Sequence, residues 1–140
     1  MKAFSYSLEK VLRLRKYHED EAKIELGKAV GTLAEIENKI YSTAEEIVRA
    51  QAAQFNRENT AKDMQQYMFY LLRLDSNKEN LLKQAAMAEV KVEEAREVFI
   101  EASRERKVLD NLKDKRFKEY RKTSLVEETK TLDDISMARI

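Results

Sequence analysis

The sequence predicts an all-α fold in which two long helices form an antiparallel coiled-coil hairpin. Three observations predict it. The 140 residues include no proline and only two glycines, so the residues that end helices and shape turns are nearly missing. Charged residues make up 38% of the chain, 27 basic and 26 acidic, a composition typical of long helices. Apolar residues also recur at alternating spacings of three and four along two long segments, the signature of a coiled-coil seam.

The first seam runs through a positions Leu12, Glu19, Leu26, Leu33, Ile40, Ile47 and Gln54. Its d positions are Leu8, Arg15, Ala22, Ala29, Ile36, Thr43 and Ala50. Helix 1 is therefore expected over about 7–56. Ser7 is the expected N-cap, because its hydroxyl can accept from an orphan helical N–H. Tyr6 and Val11 then stand where a hydrophobic staple would close the first turn.

The polar stretch 57–62 is expected to turn the chain. Thr60 can cap the next helix, and Asp63 three residues on suits the positive end of its macrodipole. A short connection makes the two helices antiparallel neighbours.

Helix 2 is expected over about 63–122. Its a positions are Met64, Leu71, Lys78, Ala85, Val92, Phe99 and Arg106, and its d positions Tyr67, Leu74, Leu81, Ala88, Ala95, Ala102 and Leu109. The polar spot Asp75-Ser76-Asn77-Lys78 reads as part of this helix, since the heptad runs through it. With the turn near 60, facing partners have numbers adding to roughly 120. Arg15 then falls near Glu105, Glu19 near Ala102 and Arg106, and Leu12 near Leu109. Opposite charges in the seam fix register at some loss of stability. Helix 1 runs out opposite about residue 113, so later residues of helix 2 are expected to overhang. Weak periodicity beyond residue 122 reads as a frayed tail, 123–140, of a single-domain chain.

Function classes narrow quickly. No cysteine is present and His18 is the one histidine, so thiolate metal sites are excluded and no cofactor is expected. No phosphate loop, nucleophile elbow or HExxH motif occurs, and no catalytic residue can be named. Adjacent acidic pairs such as Glu45-Glu46 and Glu93-Glu94 do not share a helix face. A net charge of +1 with interspersed signs argues against nucleic-acid binding. The N-terminus lacks a signal-peptide core and no apolar run can span a membrane. A cytoplasmic, non-enzymatic protein without direct membrane insertion is expected.

Three features remain as candidate contacts. Tyr41, Val48 and Phe55 recur every seventh residue off the seam, near Met68, Phe69 and Tyr70 in the other helix. They are either an exposed aromatic patch or a stutter that moves the seam near the turn. Residues 104–122 hold nine basic and four acidic residues, which is either a solvated basic helix or a segment inserted into an acidic partner. Gly27 and Gly31 on the outer face are either tolerated or admit a close-packed helix.

Taken in order and spacing, these residues resemble the FliJ family of flagellar type III export proteins. The opening Phe4-x-Tyr6-x-Leu8-Glu9-Lys10-Val11-Leu12-x-Leu14-Arg15 carries the likeness, with Ala22-Lys23-Ile24-Glu25-Leu26-Gly27. So do Gln66-Tyr67-x-x-Tyr70-Leu71-x-x-Leu74 and Arg104-Glu105-Arg106-Lys107-x-Leu109-x-x-Leu112-x-x-Lys115-Arg116-x-x-x-Tyr120.

The resemblance implies a cytoplasmic antiparallel coiled coil similar to the stalk-like γ subunit of rotary ATP synthases, peripheral to the inner-membrane export apparatus. Its partners would be the hexameric flagellar export ATPase, the cytoplasmic part of an export-gate membrane protein, and export-substrate chaperones. By carry-over, the ATPase ring would contact Leu8, Leu12, Arg15, Arg104, Arg106, Lys107, Leu112 and Arg116. The gate or a client would contact Tyr41, Val48, Tyr67, Phe69, Tyr70 and Leu74. The residues Lys39, Thr43 and Glu46 depart from an apolar gate face. Without the resemblance, a general coiled-coil adaptor or chaperone and a structural homodimer stay open.

Overall fold

A computed structural model describes residues 2–139. They form two helices packed antiparallel, α1 (Glu9–Gln54, 46 residues) and α2 (Ala61–Ala138, 78 residues), with no strand among the described residues. The predicted seam is the packed one. Every a and d position of α1 is buried or half-buried, and in α2 only Met64 is exposed. The periodicity sets the packing because an apolar stripe must leave water, and only one face of each helix carries it. Asp75, Ser76, Asn77 and Lys78 lie within α2, which does not break there.

The turn is built by side chains, since none of the described residues takes a positive φ. Asn59 Nδ2 donates to the Ala53 carbonyl and, at 3.3 Å, to that of Gln54, which satisfies the orphan end of α1. Asn56 Oδ1 accepts from Glu58 N at 3.3 Å. Thr60 caps α2 as expected, and Asp63 does more than suit the dipole. Asp63 N donates to Thr60 Oγ1 at 3.2 Å while Thr60 N donates to Asp63 Oδ2 at 3.0 Å, a reciprocal capping box.

The packing divides into two compact units, Met1–Ala22 with Phe99–Ile140, and Lys23–Val98. In the second unit the core is Ala50, Leu74, Ala85, Ala88 and Val92. In the first unit, Leu12 is fully buried at 0% exposure, with Tyr6, Ala22 and Ala102 beside it in the core. Alanines at the other core positions leave room between the helices for these larger side chains.

Four expectations about the first unit need correction. Ser7 is not the N-cap of α1. Leu12 N donates to the Leu8 carbonyl at 2.9 Å, so the cap position is Leu8, and Ser7 Oγ accepts from Arg116 at 3.0 Å instead. Tyr6 is drawn to α2 rather than stapled to Val11: its hydroxyl donates to the Leu109 carbonyl at 3.1 Å, and Val11 is exposed.

The overhang does not begin at residue 113. The segment before α1 continues along α2, with Phe4 edge-on to Phe117 at 5.1 Å and near Tyr120 at 5.5 Å. Tyr120 Oη donates to the Lys2 carbonyl at 2.7 Å.

Nor does a frayed tail begin at residue 123, because α2 is unbroken to Ala138. No glycine or proline stops it. Thr123, Thr129 and Thr131 turn their hydroxyls back onto the carbonyls four residues earlier, at 2.9 to 3.0 Å, so their side chains are satisfied within the helix.

Candidate protein-binding surfaces

The first surface lies on the first unit, where the seam turns polar. Seam positions filled by Glu19 and Arg106 bring opposite charges together at 2.8 Å. Arg106 also bonds Asp110 one turn on. Arg15 pairs with Glu105 across the helices, and Lys113 Nζ meets Glu9 Oε2 at 2.9 Å. These bonds shift the groups. The Arg106 hydrogen bond holds the Glu19 carboxyl below its ordinary pKa against partial burial. Lys113 does the same for Glu9, and Glu19 with Asp110 raises Arg106.

This geometry sorts the residues expected at an ATPase ring. Leu12 is core, and Leu8 and Leu112 are half-buried beside it. Arg15 and Arg106 are committed to Glu105, Glu19 and Asp110. Arg116 lies over the Tyr6 ring, 5.7 Å from its centre, and reaches Ser7. Arg104 and Lys107 are exposed, Arg104 only loosely paired with Glu101 at 3.8 Å. The surface open to a partner is thus a basic outer face of α2 above an internally neutralised seam.

The second surface lies on the second unit. Tyr41 is 71% exposed, Phe55 74%, and Val48 is exposed between them. The stutter reading is therefore excluded for these three. Phe69, Met68 and Leu72 are also exposed on α2. Tyr70 is exposed and its hydroxyl reaches Glu46 Oε2 at 3.4 Å across the helices. Of the other residues expected there, Tyr67 is half-buried and Leu74 is core. Isolated exposed apolar side chains are ordinary, but contiguous rows of them mark contact sites. Lys39 and Thr43 are tied into α1 itself, Thr43 Oγ1 donating to the Lys39 carbonyl at 2.8 Å.

Sequence reading missed the aromatic cluster of Phe4, Phe117 and Tyr120. The alternation Phe4-x-Tyr6-x-Leu8 is its signal, because it is not helical spacing and marks an extended segment with one apolar side. Around Gly27 and Gly31 an added Cβ would meet nothing within 4 Å, so no helix of this chain approaches there. Among the described residues no acidic, histidine or cysteine cluster could hold a metal ion, and no helix is long and apolar enough to cross a membrane.

The family model described as flagellar FliJ protein matches residues 4–140. A flagellar FliJ protein of Bacillus subtilis (strain 168) is 23% identical over 141 residues, an alignment that covers 96% of this chain and 94% of that protein. No solved structure matches the chain.

Proposed function

Because the chain belongs to the FliJ family of flagellar proteins, we propose that it is a non-enzymatic stalk of the flagellar type III export apparatus. It binds the hexameric export ATPase in the cytoplasm, favours the assembled ring, and links the ring to the export gate and to substrate chaperones. The observation that carries this reading is the first unit. Its helices are locked together by internal ion pairs while a basic α2 face, with Arg104 and Lys107, is left open. A locked pair of helices can fill the centre of a ring without unfolding, and open cations steer it to an acidic lining. Activation is then a population shift: a ligand that prefers the assembled ring raises its share.

Charge reversal of Arg104 and Lys107 tests the assignment without touching the core. Stimulation of the purified ATPase is expected to fall sharply while helicity is unchanged. Unchanged stimulation would refute the ring contact. Arg15 and Arg106 are poor choices, since their loss strands Glu105 and Glu19.

A second reading, a chaperone or adaptor, is favoured by the exposed row of Tyr41, Val48 and Phe55 with Phe69 on α2. In the stalk account this row serves the gate or chaperones. Replacing Phe69 and Tyr70 by Ser separates the two readings: lost client or gate binding with intact ATPase stimulation assigns the row to those partners alone.

A further inference from the structure

The side of α2 that packs within the first unit repeats at helical spacing. Ala102 is core, Arg106 pairs with Glu19, the Leu109 carbonyl accepts from Tyr6, Lys113 pairs with Glu9, and Arg116 reaches Ser7. At 3.6 residues per turn, Arg104, Lys107, Asn111, Lys115, Lys118 and Lys122 fall on the opposite side, about half a turn away. All six are exposed. They make one row, roughly 27 Å long at 1.5 Å per residue, which faces outward from the helix pair.

The row carries one sign. Residues 104–122 hold nine basic and four acidic residues, and five of the nine stand on it. Of the four acids, Glu105 and Asp110 are bonded to Arg15 and Arg106, while Asp114 and Glu119 stand at the two edges of the row. Among the described residues, Lys107, Lys115, Lys118 and Lys122 have no ion-pair partner within the chain, and Arg104 has only Glu101 at 3.8 Å.

The kind of cation says what such a row suits. Arg15, Arg106 and Arg116 turn inward, where each meets a fixed partner. The row is four lysines and one arginine. A guanidinium fork fits the set geometry of a packed protein interface, where arginine is enriched and lysine depleted. An ammonium on a flexible stem fits a diffuse layer of negative charge. No apolar side chain on the row could enter a packed interface or a hydrocarbon layer, and no aromatic ring offers a nucleic-acid base a stacking platform. A straight, convex row touches a flat surface along its whole length.

We propose that this row lays α2 on a membrane surface rich in anionic phospholipid, by charge alone and without insertion. The lysine ammoniums sit among the headgroup phosphates and carboxylates, within a Debye length of the surface, and the attachment is reversible. Arg104 and Lys107 also serve the proposed ring contact. Lys115, Lys118 and Lys122 belong to this surface alone, and the variants are confined to them, so the two readings fail separately.

Co-sedimentation of the full chain with phospholipid vesicles tests it. The wild-type chain is expected to bind vesicles holding about 30% phosphatidylserine, and not vesicles of phosphatidylcholine alone. Binding is expected to fade between about 50 and about 300 mM salt. Each lysine is worth about fivefold in binding, so Lys115→Gln, Lys118→Gln and Lys122→Gln together should weaken it about a hundredfold. A control carries Lys23→Gln, Lys83→Gln and Lys91→Gln, which are exposed residues off the row. It has the same net charge as the first variant and is expected to bind within about twofold of wild type. Far-UV circular dichroism checks that both stay helical. Equal binding to the two kinds of vesicle overturns the proposal. So does an equal loss in the two variants, which would reduce the row to net charge. Tighter binding to a short DNA duplex than to the anionic vesicles also overturns it and gives the row to nucleic acid.

Discussion

Glu19 on α1 and Arg106 on α2 meet at 2.8 Å where the seam of the first unit turns polar, and Asp110 completes the site from one turn further along α2. The contact predicts acid sensitivity. Hydrogen bonding to Arg106 lowers the Glu19 pKa in the folded state. A lowered folded value means stability that is fully present above the ordinary glutamate pKa and fades as pH falls through the folded one. Glu9, lowered chiefly by Lys113, acts in the same direction. The melting temperature is expected to drop below about pH 4.5. Glu19→Gln should melt lower at neutral pH and show a flatter acid limb. An identical acid limb in that variant would dissociate the effect from Glu19.

Leu12 is the fully buried large side chain of the first unit. Leu12→Ala is expected to cost about 2–3 kcal/mol in urea unfolding, the lower part of the usual range. Two packed helices can close over a lost side chain more easily than a thick core. A cost below ~1 kcal/mol would place Leu12 outside the core.

The reciprocal bonds between Thr60 and Asp63 fix where α2 begins. Thr60→Ala should cost about 1 kcal/mol, and Asp63→Ala should cost less. Hydrogen exchange is expected to rise in the first turn of α2 and not at Leu74. Uniform change across the chain would contradict a local cap.

Gly27 and Gly31 face open space. Replacing either with Ala should stabilise the chain by roughly 0.5–1 kcal/mol, since each glycine sits within a helix at an entropic cost. Stabilisation with partner binding intact means the glycines are tolerated. Stabilisation with lost binding assigns them to a close helix–helix approach in a complex.

What the sequence makes legible follows from what periodicity measures. Heptad spacing reports burial, so it locates the seam and the pairs Arg15 with Glu105 and Glu19 with Arg106. It reports nothing where a helix has no buried side, which is why the stretch 123–138 of α2 reads as frayed although no residue in it ends a helix. The segment from Lys2 to Ser7 escapes for the opposite reason. It is held by single long-range contacts of Phe4, Tyr6 and Ser7 with α2, which leave only a short alternation in the sequence. Among the candidate site residues, side-chain type alone does not separate surface from scaffold. Leu12, Arg15, Leu74 and Arg106 turn out to hold the helices together, while Tyr41, Val48, Phe69, Arg104 and Lys107 face outward.

A chain that serves an export ATPase ring must change that ring. The direct measurement is the oligomeric state and turnover of the purified flagellar export ATPase, titrated with the chain. Hexamer and ATP hydrolysis are expected to rise together as the wild-type chain is added, and the chain reversed at Arg104 and Lys107 is expected to raise neither. An ATPase whose assembly and turnover are indifferent to the wild-type chain would contradict it.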